Sequence, residues 1–595
     1  MSRSTRADTG LQVGDSATKS DAGAYPGKLP VVFLILSILL FLSLGGYQLH
    51  LPGLHYDEAK EAGLNAMQLV TGQPLTTFRD AAVQLGPIQL PLMVQDYIGS
   101  LNVLAAAPFL AIGGINVVSL RWLPLLIGAL TLVLTWRVAG LLGGPVAASL
   151  AALLLAVNPS FVFWSRQGVF VTNLTALFLV ASLLAALHWW QEGRSRDLWL
   201  TAFLWGLGLY SKLLFAWAIV AMVVVAAVAW AINRRAGRLT PLARLSATDC
   251  LIAVGCLAVP LAPLVVFNLR TGGTIASLYG NLGRSYYGVN NAAYWPNLQV
   301  RLGQIVSLVR GDHFWYLGEI FSNLWAPFLA GGLAAAALLY GGIRLARGGD
   351  LPPELRRRLN GLLMSLGLIA LIVLQSAFTV SDLFITHYVL LLPLISLSGG
   401  LAASVLWTGW HASVRPGEKR FQRALALVLL MGAILWWAGG DLWTTLNYHQ
   451  VLAISGGAGS HSDAINNMAR FLACSSAPSK ACLQGDGVPL SAPVALDWGM
   501  DAPLRFLTAG HVNPVEVFGY THLDAPDEAF LTRIEPFLAN PDNVYIAHAP
   551  EQTVFRGRVE ALVGLAAAQG LSLREIAHFN ERSGRPLFLV YRVAR

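Results

Sequence analysis

The chain has 595 residues, of which 55% are hydrophobic and 12% are Asp, Glu, Lys or Arg, and its net charge is +8. Soluble domains carry about 25% charged residues. This composition excludes a disordered chain, a collagen-like chain and a plain cytosolic enzyme, and predicts a polytopic membrane protein. The surplus of basic residues follows membrane topology and does not require nucleic acid.

Residues 1–28 are polar, lack any apolar period and read as a disordered cytoplasmic tail. Residues 29–49 form one apolar run of spanning length. No small-residue cleavage signature follows it, so it reads as an uncleaved first span. Ten more spans are predicted near 118–138, 145–163, 171–190, 197–211, 213–232, 248–268, 324–345, 360–380, 385–407 and 424–441. The run 198–233 is too long for one helix and breaks at Ser211 and Lys212.

The segment 97–114 is also apolar but contains Pro108 and paired glycines. With eleven spans and the N-terminus inside, the inner segments hold 20 Lys and Arg and the outer loops hold 9. That is the positive-inside bias. A twelfth span at 97–114 would invert every later loop, so this segment is expected to be an interfacial helix within a long first outer loop, 50–117. A second long outer loop covers 269–323. The membrane domain is expected to run from 29 to 441.

From 441 onward the composition changes, with 11 basic and 15 acidic residues. Short β-rich runs alternate with helical ones, at 493–497, 515–518 and 543–547, each followed by a helix. A hairpin then joins 572–579 to 586–593. Residues 442–595 therefore read as a soluble, extracytoplasmic α/β domain. Cys474 and Cys482 lie eight apart around a Ser/Pro loop in this domain, and outside the cytoplasm such a pair favours a disulfide. Cys250 and Cys256 sit in an apolar span and read as packing residues. No spacing of Cys and His suggests zinc.

The chemistry is expected on the outer face, in charged groups beside the membrane. The first loop contains HYDEAKEAGLNAMQLVTGQ. Ala59, Ala62, Gly63, Ala66, Met67 and Val70 share one helical face, so this helix is expected to lie on the membrane with Asp57 at its N-terminal end. On local pattern alone, Asp57 and Glu58 read either as catalytic acids or as acids complementing the helix dipole. Asp96 is a carboxylate in an apolar stretch, or the N-cap of the next helix. Arg166 and Lys212 stand at outer span junctions, where they suit an anionic lipid-linked ligand or snorkel to head groups. His387 and Tyr388 open a late span and either face the same cavity or sit in the interface.

In combination these segments resemble the C-type (GT-C) membrane glycosyltransferases, in the branch of the protein O-mannosyltransferases and lipid A aminoarabinose transferases. DEAKEAGLNAMQLVTGQ is similar to the family's first-loop Asp-Glu helix. Asp96, ahead of Arg121, resembles its second first-loop acid. NPSFVFWSRQGVFVTN, GLGLYSK and THYVLLLPL resemble later outer-end motifs. The likeness covers roughly 50–440. One departure is Asn173, where relatives often carry an acid.

The resemblance implies a sugar donor on a polyprenyl phosphate and a hydroxyl acceptor on a lipid, glycan or protein. It implies inversion at the anomeric centre, and the outer face of the bacterial cytoplasmic membrane as the place. Asp57 would be the base and Asp96 an acceptor-orienting carboxylate. Lys212 and Arg166 would hold the donor phosphate, with Glu58, His387, Tyr388 and Asn173 near the substrate. No cofactor is required, although the scheme leaves room for a divalent cation. The competing readings are a transporter or flippase, and an assembly scaffold.

Overall fold

The computed structural model describes residues 28–595 apart from 168–169, 239, 286–287, 349, 380–382, 413–419 and 477–492. The expected N-terminal tail and Cys482 fall outside the described residues. Cys474, near the end of the helix Ala464–Ser476, is disulfide-bonded.

Among the described residues, nine helices are long and apolar enough to cross a membrane. One of them, Val117–Val157, is 41 residues long, about 60 Å at 1.5 Å per residue and twice a bilayer core. It is not straight. Gly144 takes φ 79°, and Pro145 follows it. A Cβ on Gly140 would lie 3.7 Å from the Cβ of Ala148, whereas eight residues of straight helix span about 12 Å. The chain therefore reverses at Gly144, and this helix makes two traverses. The helix Ser195–Ser211 has 17 residues and runs from Asp249 at one end of the bundle to the first loop at the other. These two features bring nine long helices to the eleven traverses expected.

The loops sort by end. Arg358 donates to the Ser404 carbonyl near Gly144 at one end. At the opposite end Asn291 bonds the Thr379 carbonyl, Arg270 bonds the Ala82 carbonyl and Tyr448 bonds the Gly311 carbonyl. The last helix, Arg420–Ser455, continues well past the predicted end at 441. Asp441 lies inside it, fully buried and bonded by Asn323 at 2.8 Å.

The C-terminal domain is built as its sequence alternation predicts. Its five-stranded sheet has the order 515–516, 494–495, 544–548, 586–594, 572–580. The first three strands are parallel and the last two form an antiparallel hairpin. Helices Asp501–Leu507, Phe530–Leu538 and Arg558–Ala568 fill the crossovers.

Two expectations for the first loop are corrected. The segment 97–114 is not helical throughout: short strands at Met93–Gln95 and Ile98–Gly99 precede a helix confined to Leu101–Gly113. The helix after Asp57 does not lie on the membrane either. Ala59, Ala62, Gly63, Ala66 and Met67 of its apolar face are buried, Val70 at its end is exposed, and its polar residues Glu58, Glu61, Asn65 and Gln68 are buried too. Part of the cover comes from the C-terminal domain: a Cβ on Gly63 would contact both the Leu120 side chain and the Phe506 ring at 3.1 Å, and Gln73 donates to the Ala509 carbonyl. Apolar periodicity identified a buried face but could not show that a distant domain helps to cover it.

Candidate active site

The helix that carries Asp57 begins at His55, whose ring Nδ1 accepts from the Asp57 amide at 3.2 Å. After one turn it passes into a π-helical segment, Ala59–Gly63, and then the α-helix Leu64–Thr71. Such π-turns recur at functional sites because they re-aim side chains along a helix. Here Asp57, Glu61 and Lys212 lie close enough for each carboxylate to act by charge on the lysine.

The two acids at 57 and 58 have opposite environments. Asp57 keeps 45% of its side chain exposed. Glu58 is 1% exposed and clasped by Arg121, which donates from Nε at 2.7 Å and from a terminal nitrogen at 2.8 Å. Arg121 also holds the carbonyls of Leu49, Pro52 and Gly53. This buried pair fixes the start of the loop and keeps Glu58 out of solvent.

Lys212 is placed by its backbone. It takes extended angles between Ser195–Ser211 and the 3₁₀ turn Leu213–Phe215. It bridges Ile98 in an antiparallel pair, and the Leu213 amide donates to the Tyr97 carbonyl at 3.1 Å. Gly99 makes this approach possible, since a Cβ there would overlap the Tyr210 carbonyl. The Lys212 side chain is 8% exposed. Burial lowers its pKa, against the opposing charges of Glu61 and Asp57.

Glu61 was not singled out from the sequence. It is 7% exposed, and among the described residues no hydrogen bond or ion pair engages its carboxylate. Burial pushes its pKa up to about 8, opposed by Lys212 and aided by Asp57. Arg301, also unanticipated, is buried on Tyr294–Arg310 and donates to the Leu383 carbonyl. Both Lys212 and Arg301 act by charge on His387. An i,i+4 relation of two acids was the available signal for Glu61; nothing local marked Arg301.

The remaining predicted residues fall outside this cluster. Asp96 is bound by Arg79 through two bonds of 2.8 Å. Arg166 is fully buried and donates to the carbonyls of Gly45, Tyr47 and Gln48, closing the end of the first span. Burial, then Arg121, lowers its pKa to about 9. Asn173 donates to the Trp164 carbonyl, and the Tyr388 hydroxyl donates to Ser376 at 2.9 Å. Among the described residues no three His, Cys, Asp or Glu side chains are grouped to hold a metal ion.

The C-terminal domain closes over this region. The His461 ring stacks between His55 at 4.1 Å and Tyr316 at 3.9 Å, and Trp498 packs on Tyr56 at 4.8 Å. Lys60 donates to the Tyr56 hydroxyl at 2.7 Å, which meets Tyr520 at 3.3 Å, and Tyr520 donates to Glu516.

This architecture, many traverses with a polar cluster under a C-terminal cap at one end, is shared with solved membrane-protein structures. The family model of dolichyl-phosphate-mannose-protein mannosyltransferases matches residues 103–258. The chain is similar to crystal structures of ArnT from Cupriavidus metallidurans. With the form bound to undecaprenyl phosphate it shares 14% identity and a TM-score of 0.52, over 94% of this chain and 97% of that one. With the apo form it shares 13% identity and a TM-score of 0.53, over the same fractions. No curated protein matches the chain. The family model covers about a quarter of the chain, and the likeness to the ArnT structures is one of fold.

Proposed function

We propose that this protein moves a sugar from a polyprenyl-phosphate donor to a hydroxyl acceptor on a lipid, glycan or protein, with inversion. The reaction is set on the outer face of a bacterial cytoplasmic membrane, with the C-terminal domain outside. The observation that carries this reading is Asp57: a half-exposed carboxylate, on a mostly buried helix, within reach by charge of a buried lysine. The fold is shared with a protein crystallised with undecaprenyl phosphate.

The leaving group is a phosphate, so departure needs charge neutralisation more than a proton. Lys212 supplies it as negative charge develops, in a site where burial strengthens electrostatics. Asp57 accepts the proton of the attacking hydroxyl. Positioning and base catalysis together supply several orders of magnitude in rate. Asp96, held by Arg79, braces the strand against which Lys212 is registered. Arg166 and Glu58 hold the loop in place, and His387 lies beside Lys212 as a substrate contact.

The test is the purified full chain in liposomes with synthetic undecaprenyl-phosphate sugars and a membrane extract as acceptor. A glycosylated product supports the reading. Movement of the labelled lipid across the bilayer without product overturns it in favour of a flippase.

A further inference from the structure

We propose that the seam between the helix Ala326–Ala346 and the last helix, Arg420–Ser455, is the binding groove of one diacyl glycerolipid of the surrounding bilayer. The lipid is held by its ester-bearing backbone at the end of the bundle that carries the cap.

Two cavities lie along this seam. The outer one, about 440 Å³, is lined by Ser322, Asn323 and residues between 435 and 443 of the last helix. The inner one, about 490 Å³, is lined by Leu333, Tyr340 and residues between 424 and 433. The two helices run antiparallel here, so one cavity follows the other along the same pair. From 424 to 443 the last helix rises about 28 Å, close to the thickness of a bilayer's hydrocarbon core.

A helix pair in a membrane usually closes on its small residues. This pair closes at Gly440, where a Cβ would lie 2.6 Å from the Asn323 amide nitrogen. Asn323 donates to Asp441 beside it at 2.8 Å. The neighbouring Gly439 lines the outer cavity, and a Cβ there would meet nothing within 4 Å. The last helix is therefore pinned beside an opening that its own side chains do not fill.

The linings differ in chemistry. The inner cavity is mainly aliphatic, and its Tyr340 hydroxyl already donates to the Gly409 carbonyl at 2.8 Å. It suits a hydrocarbon chain. The outer cavity offers donors. Ser322 Oγ is buried and, among the described residues, has no hydrogen-bond partner. Trp325, Trp436 and Trp443 each bring an indole N–H, which donates and cannot accept. All three are more than half exposed, as interfacial aromatic residues are. Among the described residues no Lys, Arg, Asp or Glu lines either cavity. Uncharged donors at that depth match the ester carbonyls of a glycerolipid. A polyprenyl phosphate has no such carbonyls, and its phosphate calls for a cation. At the far end of the same helix Ser455 donates to the Leu317 carbonyl, and His461 beyond it stacks on Tyr316. A lipid in the seam thus braces the helix that leads into the cap.

The test is native mass spectrometry with a melting assay on the purified full chain, stripped of lipid in detergent. It is given back phosphatidylglycerol with ester-linked chains, the ether-linked analogue, or undecaprenyl phosphate. Wild type should retain one ester-linked lipid that Gly439→Leu, with the opening filled, does not. That lipid should raise the melting temperature of wild type and leave that of Gly439→Leu unchanged. The ether analogue on wild type, and the ester-linked lipid on Ser322→Ala, should each bind about fivefold more weakly. Leu favours a helix more than Gly does, so Gly439→Leu should fold; if it does not, Ser322→Ala carries the test. Equal retention of the ester-linked lipid by wild type and both variants overturns the site. Equal binding of the ester and ether forms overturns recognition through the carbonyls. Undecaprenyl phosphate binding more tightly than phosphatidylglycerol, and lost in Gly439→Leu, overturns the choice of occupant. Each of these results leaves the glycosyltransferase reading standing.

Discussion

In the C-terminal domain, Asp497 is 1% exposed and accepts five hydrogen bonds. They come from the amides of Trp498, Val554 and Phe555, from His548 and from the Thr553 hydroxyl. In the first-loop region, Glu61 is nearly as buried and, among the described residues, accepts none. Burial raises the pKa of Asp497, but the bonds from His548 and the other donors outweigh it, and the net shift is downward. Burial raises that of Glu61 to about 8, with the charges of Lys212 and Lys60 opposing it and no bonded donor. The lesson is that burial alone does not set the charge of a carboxylate; the donors supplied with it do. A carboxylate given five donors is a fixed part of the scaffold. One given none keeps the raised pKa that burial gives it.

The comparison can be broken most sharply at Asp57. Asp57→Asn keeps the side chain's size and its place beside His55, and removes the base. Transfer should fall by roughly 10²–10⁴ while undecaprenyl phosphate still binds; turnover near wild type would move the base elsewhere. Asp497→Ala comes next. It orphans several donors at once and should destabilise the C-terminal domain by about 3 kcal/mol or more, read as an early unfolding step in a protease-resistance assay. A variant as resistant as wild type would show that the donors find other partners.

Acid should act on the stacked rings. Burial, then His55 and Arg121, holds the pKa of His461 well below 6.5. The folded state therefore keeps it neutral, while the unfolded chain binds a proton below about pH 6.5. Stability should be fully present above that pH and fall by up to about 1.4 kcal/mol per unit below it. Melting curves between pH 7.5 and 5.5 check this, and His461→Phe should flatten the dependence. The smallest effect is expected at Glu61 itself. Glu61→Gln replaces an unsatisfied carboxyl with an amide of equal shape and should change stability by less than about 1 kcal/mol. A large loss of melting temperature would mean that Glu61 holds the fold.

Much of this was legible in the sequence because its signals are local. Apolar run length and basic loops located the traverses, including the reversal at Gly144. In the C-terminal domain, β-rich runs alternating with helical ones located all five strands. The division of labour between Asp57 and Glu58 was not legible. Neighbours on a helix point about 100° apart, and which of them meets Arg121 depends on packing across the bundle. Glu61 escaped for the same reason, since its character comes from burial and from the charge of Lys212, far away in the sequence. The helix was wrongly seated on the membrane because periodicity reports that a face is buried and not what buries it.

The hydrogen bond between Tyr56 and Tyr520 joins residues 464 apart in the chain. At roughly 5–20 residues per second of synthesis, the first loop leaves the ribosome some 20–90 s before its cover exists. Throughout the insertion of nearly every later helix, Ala59, Ala62 and Met67 wait without their final neighbours. The segment most exposed to proteases and to mispairing during biogenesis is thus the one that carries Asp57. A chain truncated after residue 455 should be found with this loop cut, even where its membrane helices have all been inserted.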